Sequence, residues 1–430
     1  MEITLEMYKK LDPGKIRDFC LISDIHDILP RGFLHYWDTD GKFLAEFAGI
    51  SQGSTVSIKV TGEDDDEDTE VEFLEMAVQD VTLEDSADSS TLSGNLIISF
   101  VHPWMFLMDT SCHAYEALNG TDLIKKVLAD GNRGREWPVK DENFSKTDDN
   151  GSYSRYKDEG DLDFLVEKVL PYCSIDQRPA HLYCDEFGDF WLKSFTDLYR
   201  ENPKVILGPK PEDMALQSVG KQVEKSMKDN GIDEKDVYSM DKIGILIAGE
   251  EMIPELYPSF TVENANSGGT ASAGKLPGNM LRSNQDGKTF GGYLPYSGMM
   301  MSQSTGTSMK IVQNRSLVDS FILLFAAASK LDYSFRMIVE LNFLADRIRV
   351  GNTVDLILPE VVYSDEGEMK APGKYLHWIT GKWLVTRTEH AVKTGQQTML
   401  TTNLHLARPA FTGREKDTSL VNIPMLLEVK

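Results

Sequence analysis

The stretch 373–408 constrains the fold more than any other part of the chain. It reads GKYLHWITGKWLVTRTEHAVKTGQQTMLTTNLHLAR, two strand-like runs around a loop. Trp383, Val385 and their neighbours are β-branched or aromatic, and the run from Thr398 to Arg408 alternates. Leu400, Leu404 and Leu406 fall on one face, and Thr401, Asn403 and His405 on the other, as a period of two requires. Between the runs, Ala391 to Gln397 carries Gly395, a source of turn freedom. The pattern predicts an antiparallel hairpin with one buried and one solvated face.

A second β-rich region stands at the other end. Val56, Ile58 and Val60 alternate with Thr55, Ser57 and Lys59, and Leu96, Ile98 and Phe100 with Ile97, Ser99 and Val101. Short strands at this spacing suggest a small barrel or sandwich over 1–112. Residues 113–200 read as α/β. Thr121 is placed to cap a helix with Leu123, Ile124, Val127 and Leu128 on one stripe. A second helix fits Asp161 to Tyr172, and a hairpin follows, turning at Phe187-Gly188-Asp189. Residues 201–256 hold a helix over Pro211 to Asn230 and a short strand near Ile243. Residues 257–315 turn rich in Gly, Ser, Asn and Met, with Tyr293, Tyr296 and Met299 to Met301 as adaptable contact surface; an arm against a neighbour and a flexible linker both fit. From 316 to 410 order returns: a buried helix over Leu317 to Ser329, then strands through Met337, Val339 and Leu341 and through Val354 and Leu356. An acidic loop covers 361–372, and 411–430 is a tail with an apolar run suited to a partner's sheet edge.

The chain has 430 residues and a formal net charge of −24. That excess argues against a nucleic-acid binder, which needs Lys and Arg for phosphates. The first residues, MEITLEMYKK, contain no apolar signal core, and the run Phe321 to Ala328 is too short for a bilayer, so no membrane segment is expected. Four spread cysteines without a C-x-x-C suggest reduced thiols.

Four patterns invite a chemical reading. Cys173, His181 and Cys184 could supply three zinc ligands, but no fourth follows; buried thiols on packed strands are the competing account. Asp24-Ile25-His26-Asp27 is a tight His/carboxylate cluster without a companion motif, and a hydrogen-bonded turn explains it. Gly62 to Glu70 holds seven carboxylates in nine residues, yet lacks the ligand alternation and internal Gly of a calcium loop; it reads as a solvated hairpin loop. Gly269 to Lys275 has Walker A spacing, but Leu276 replaces the magnesium-binding hydroxyl and Pro277 opposes the helix. No catalytic, cofactor or metal residue is assigned.

The run GKWLVTRTEH, a loop, then TMLTTNLHLAR resembles the closing hairpin of the tube domain in baseplate hub proteins of contractile phage tails, with Gly381, His390 and Arg408 as its marks. That family spans the hubs of T4-like and of P2- and Mu-like phages and the base of type VI secretion spikes. VGNTVDLILPE and the helix start Asp163-Phe164-Leu165 also match it. The resemblance implies an α+β, β-rich fold, with two tube-type antiparallel barrels and an α/β domain between or inserted. It implies a homotrimer forming a pseudo-sixfold ring in the virion tail, assembled in the host cytoplasm. Its partners would be a tail tube or tube-initiator protein, a central spike and a tape measure protein, with no specific nucleic-acid recognition. A tail-associated hydrolase and a cell-surface-binding module using Trp378 and Trp383 are the alternatives; for both tryptophans a core or interface position is expected. A secretion spike would call for a long β-helical C-terminus.

Overall fold

A computed structural model describes residues 2–5, 9–38, 41, 43, 52–64, 67–88, 93–106, 113–130, 137, 139–147, 151–155, 160–170, 173–175, 178–208, 217–239, 242–244, 259–264, 270–272, 308–313, 335–358, 380–394 and 398–408. The readings made for Leu317 to Ser329, 361–372, Trp378, the Tyr/Met cluster at 293–301 and the tail 411–430 lie outside the described residues.

The first region supplies β1 (Glu2–Leu5), β2 (Lys9–Lys10), β3 (Ile16–Asp24), β4 (Arg31–Asp38), β5 (Thr55–Asp64), β6 (Glu67–Glu72), β7 (Met76–Asp88) and β8 (Ser93–Val101). The middle supplies β9 (His113–Leu118), β10 (Gly151–Arg155), β11 (Ser174–Ile175), β12 (Arg178–Cys184), β13 (Phe190–Ser194), β14 (Val205–Leu207), β15 (Val237–Tyr238) and β16 (Lys242–Gly244). Then come β17 (Ser259–Asn264), β18 (Thr270–Ser272), β19 (Ser308–Gln313), β20 (Phe335–Leu341), β21 (Thr353–Leu356), β22 (Gly381–Thr394) and β23 (Thr398–Arg408). Helices are few; the longest described are Gly120–Asp130 and Gln217–Asn230.

One curled 15-stranded sheet dominates. Its path runs β15-β14-β21-β22-β3-β4-β8-β7-β5-β1-β2, with β23, β20 and β16 branching from β22 and β6 from β5. The predicted hairpin is the hinge of this arrangement. One edge of β22 follows β23 from Leu384 to Thr394. The other edge pairs with β21 over Gly381 to Leu384, then with β3 over Arg387 to Lys393. The two β-rich ends of the chain are therefore hydrogen-bonded into one sheet.

Apolar alternation places the cores. Phe19, Leu34, Ile58 and Ile98 belong to a core under the first region, and Met337, Val339, Leu356, Trp383, Leu404 and Leu406 to one under the last. A separate core in the middle segment gathers Leu123, Ile124, Val127, Leu128, Phe164, Val169 and Phe190. Burial of one such large side chain is worth about 1.5–3 kcal/mol.

Several expectations need correction. The helix after residue 119 is capped by Asn119, not Thr121: Asn119 Oδ1 accepts the Asp122 N–H at 2.8 Å. The Thr121 hydroxyl instead donates to the Ser145 carbonyl. The second helix is α over Asp161–Phe164 and widens to π over Leu165–Val169. Pairing is not wholly antiparallel, since β14 runs parallel to both β15 and β21. Val205–Leu207, with three apolar residues, is too short to carry an alternation signal. The polar face of the hairpin is also not freely solvated. Thr401 and Ala407 are buried, and Ala407 packs with Ile25, Tyr183 and Leu198.

Candidate functional site

The sequence motifs resolve into local structure. Asp24 Oδ1 accepts the His26 N–H at 2.8 Å and the Asp24 carbonyl accepts the Asp27 N–H, a hydrogen-bonded turn. Cys173 and Cys184 are buried in the middle core with Leu182. Strand alternation turns His181 away from Cys184, beside Tyr183, and its ring meets His26 edge-on at 5.3 Å. Burial of the imidazole and the nearby His26 push His181 down to about 3. Among the described residues no group of three His, Cys, Asp or Glu is placed to hold a metal ion. Gly62 to Glu70 spans the ends of β5 and β6, which pair as an antiparallel hairpin. Within the Walker-like run, Thr270–Ser272 is strand β18, paired to β17, and Gly269 and Ala273 to Lys275 lie outside the described residues.

The charged residues that matter to the architecture collect around the β12–β13 turn. Asp185 and Glu186 are fully buried there, and the turn docks on the large sheet. Asp185 Oδ1 accepts the N–H groups of Phe187 and Asp189 at 3.0 and 2.9 Å. Its Oδ2 accepts from Trp191 Nε1 at 3.2 Å and from Arg349 Nη1 at 3.3 Å. Lys140 Nζ reaches Asp189 at 2.7 Å, and the Arg349 guanidinium covers the Phe187 ring at 4.3 Å. Burial, then the adjacent Glu186, raises the Asp185 carboxyl to about 6.

Glu186 ties the turn to the hairpin. Its Oε1 lies 3.5 Å from His390 Nε2, and its carbonyl accepts the Leu74 N–H. His390 Nδ1 lies 3.1 Å from the Thr402 hydroxyl and its ring packs on Phe73. His390, one mark of the resemblance, is thus a buried joint between β22, β23 and the middle segment. Arg408, another mark, is buried with its guanidinium 4.3 Å over the Trp383 ring. Trp383 is a core residue, as expected. The Asp185 carboxylate is held by backbone, indole and guanidinium donors. Glu186 meets the His390 imidazole, while its buried Oε2 has no hydrogen-bond partner among the described residues. The cluster acts as a structural joint between the turn and the hairpin. Sequence reasoning missed Asp185, Glu186 and Arg349 because Asp185 and Arg349 lie 164 positions apart. The turn signal at Phe187-Gly188 was the only local trace.

No helix among the described residues is long and apolar enough to cross a membrane. No family model and no curated protein matches the chain. Solved structures do. A tail protein from Neisseria meningitidis MC58 is 10% identical, with 96% of this chain and 97% of that chain covered and a TM-score of 0.50. The 43 kDa tail protein of prophage MuSo2 from Shewanella oneidensis is also 10% identical, with 96% and 99% covered and a TM-score of 0.50. The likeness read in the closing hairpin thus extends to the architecture, and the chain has the fold of these phage tail proteins.

Proposed function

We propose that this chain is a structural virion protein, the hub of a tail baseplate. It trimerises into a pseudo-sixfold ring that joins a hexameric tail tube to a trimeric spike and lets DNA pass. Residues 1–112 and 316–410 act as two tube-like barrel units, 113–200 as an α/β domain, 201–256 as a connector, 257–315 as an arm and 411–430 as a tail. The observation that carries this reading is the β3–β22 ladder, which sets the two β-rich ends side by side in one sheet. Three such chains would give six tube-like units, matching a hexamer above and a trimer below. Closed rotational symmetry also removes exposed sheet edges between subunits. The net charge of −24 suits a conduit that must not retain DNA.

The test is the mass in solution by light scattering over a dilution series, with and without the co-expressed spike protein. A trimer, or a monomer driven to a trimer by the spike, is expected. A chain that stays monomeric with every tail partner overturns the reading.

A further inference from the structure

A pocket of about 270 Å³ opens where β22 changes partner, lined by Asp24, His26, Arg336, Thr386, Arg387 and His405 among others. Its cause is local. β22 has an irregularity between Val385 and Arg387 against β23, and its other edge passes from β21 to β3 over the same residues. Such bulges bend a strand and re-aim its side chains. Register then aligns Asp24, Arg387, His405 and Ile338 as one row across four strands. The volume lies below the ~300–1,000 Å³ of pockets that enclose drug-sized ligands, which limits an occupant to a small group or a side-chain tip.

The chain carries a net charge of −24, yet this pocket gathers two guanidiniums and two imidazoles against one lining carboxylate. The nearby acids already have donors. Asp24 Oδ1 takes the His26 N–H, and Glu389 takes Arg387 Nη2 and His405 Nε2 on Oε1 and Asn403 Nδ2 on Oε2. Arg387 Nε is buried and has no acceptor among the described residues. A buried donor left without an acceptor is destabilising, and an incoming acceptor would satisfy it.

We propose that this pocket binds one small oxyanion, a carboxylate or a phosphate, through Arg336, Arg387 and the two imidazoles. The charges facing the imidazoles are Asp24, Asp27, Arg336, Arg387 and Glu389, with Glu340 further along β20 and His181 packed on His26. Arg336 and Arg387 are balanced by Asp24 and Glu389, and Asp27 by Arg31 at 3.1 Å. Burial holds the His26 imidazole below its ordinary range, and an added anion in the pocket opposes that, so binding tightens as pH falls.

Isothermal titration of the full chain with inorganic phosphate, and separately with acetate, at constant ionic strength tests this. Saturable one-to-one binding of at least one probe is expected, tighter at about pH 6 than at about pH 7.5. Arg336→Gln, at an exposed position, and Arg387→Gln should each weaken it about tenfold, with circular dichroism checking that each variant is folded. Binding of phosphate alone assigns a phosphate group, and of acetate alone a carboxylate. No saturable binding of either probe, or an affinity unchanged in both variants, overturns the proposal.

Discussion

Two acids in this protein, half-buried Glu389 and buried Asp185, respond to pH in opposite directions. Glu389 is held down to about 2 from 4.5, first by its hydrogen bond from His405. Its stabilisation is present above pH 4.5 and is lost as pH falls toward about 2. Glu389→Gln should cost about 1–2 kcal/mol near neutral pH in urea unfolding and nothing near pH 2. Asp185 is raised from 3.8 to about 6 by burial and Glu186, so its contribution is full below 3.8 and falls as pH rises through about 6. Asp185→Asn turns an amide toward the Trp191 and Arg349 donors. It should lower stability at every pH while flattening the decline between about 4 and about 6. Backbone geometry offers a sharper contrast. Gly351 has φ +86°, and a Cβ there would lie 2.0 Å from the Tyr183 hydroxyl; Gly53 has φ +90° and open space. Gly351→Ala should cost about 3 kcal/mol or more in denaturant unfolding, and Gly53→Ala only about 1.

At the scale of elements, β22 decides the architecture. Ala391 pairs with Cys20 on one side and with Thr401 on the other. A proline in such a central strand has no N–H to offer. Ala391→Pro should destabilise the protein by about 2–4 kcal/mol. Amide exchange followed by mass spectrometry should then speed up in β3 and β23 together. If β3 kept its protection while β23 lost it, the two halves would be separate folding units. The hairpin itself was legible because Leu404 and Leu406 alternate with Asn403 and His405 over eleven residues of β23. The cap at Asn119 was missed because two polar residues, Asn119 and Thr121, compete at that helix start. A contact with Ser145, far along the chain, settles which one caps.

For the whole molecule, acidity and fold bear on the same question. A surface with net charge −24 should give no band shift with duplex DNA at physiological salt, and no retention on immobilised DNA. Retention that fell steeply with added salt would reveal a basic stripe and contradict the conduit reading. The sequence by itself determined that the β22–β23 hairpin and segments such as β5, β8 and β20 are strands, that both ends of the chain are β-rich, and which residues alternate as apolar. Those properties follow from alternation between neighbours, which is local. Only the tertiary structure decided that β3 pairs with β22, that Glu186 meets His390, and that Arg336, Arg387 and His405 share one pocket. Such pairings join residues far apart along the chain, and nothing in a strand's own period says which distant edge will complete its hydrogen bonds.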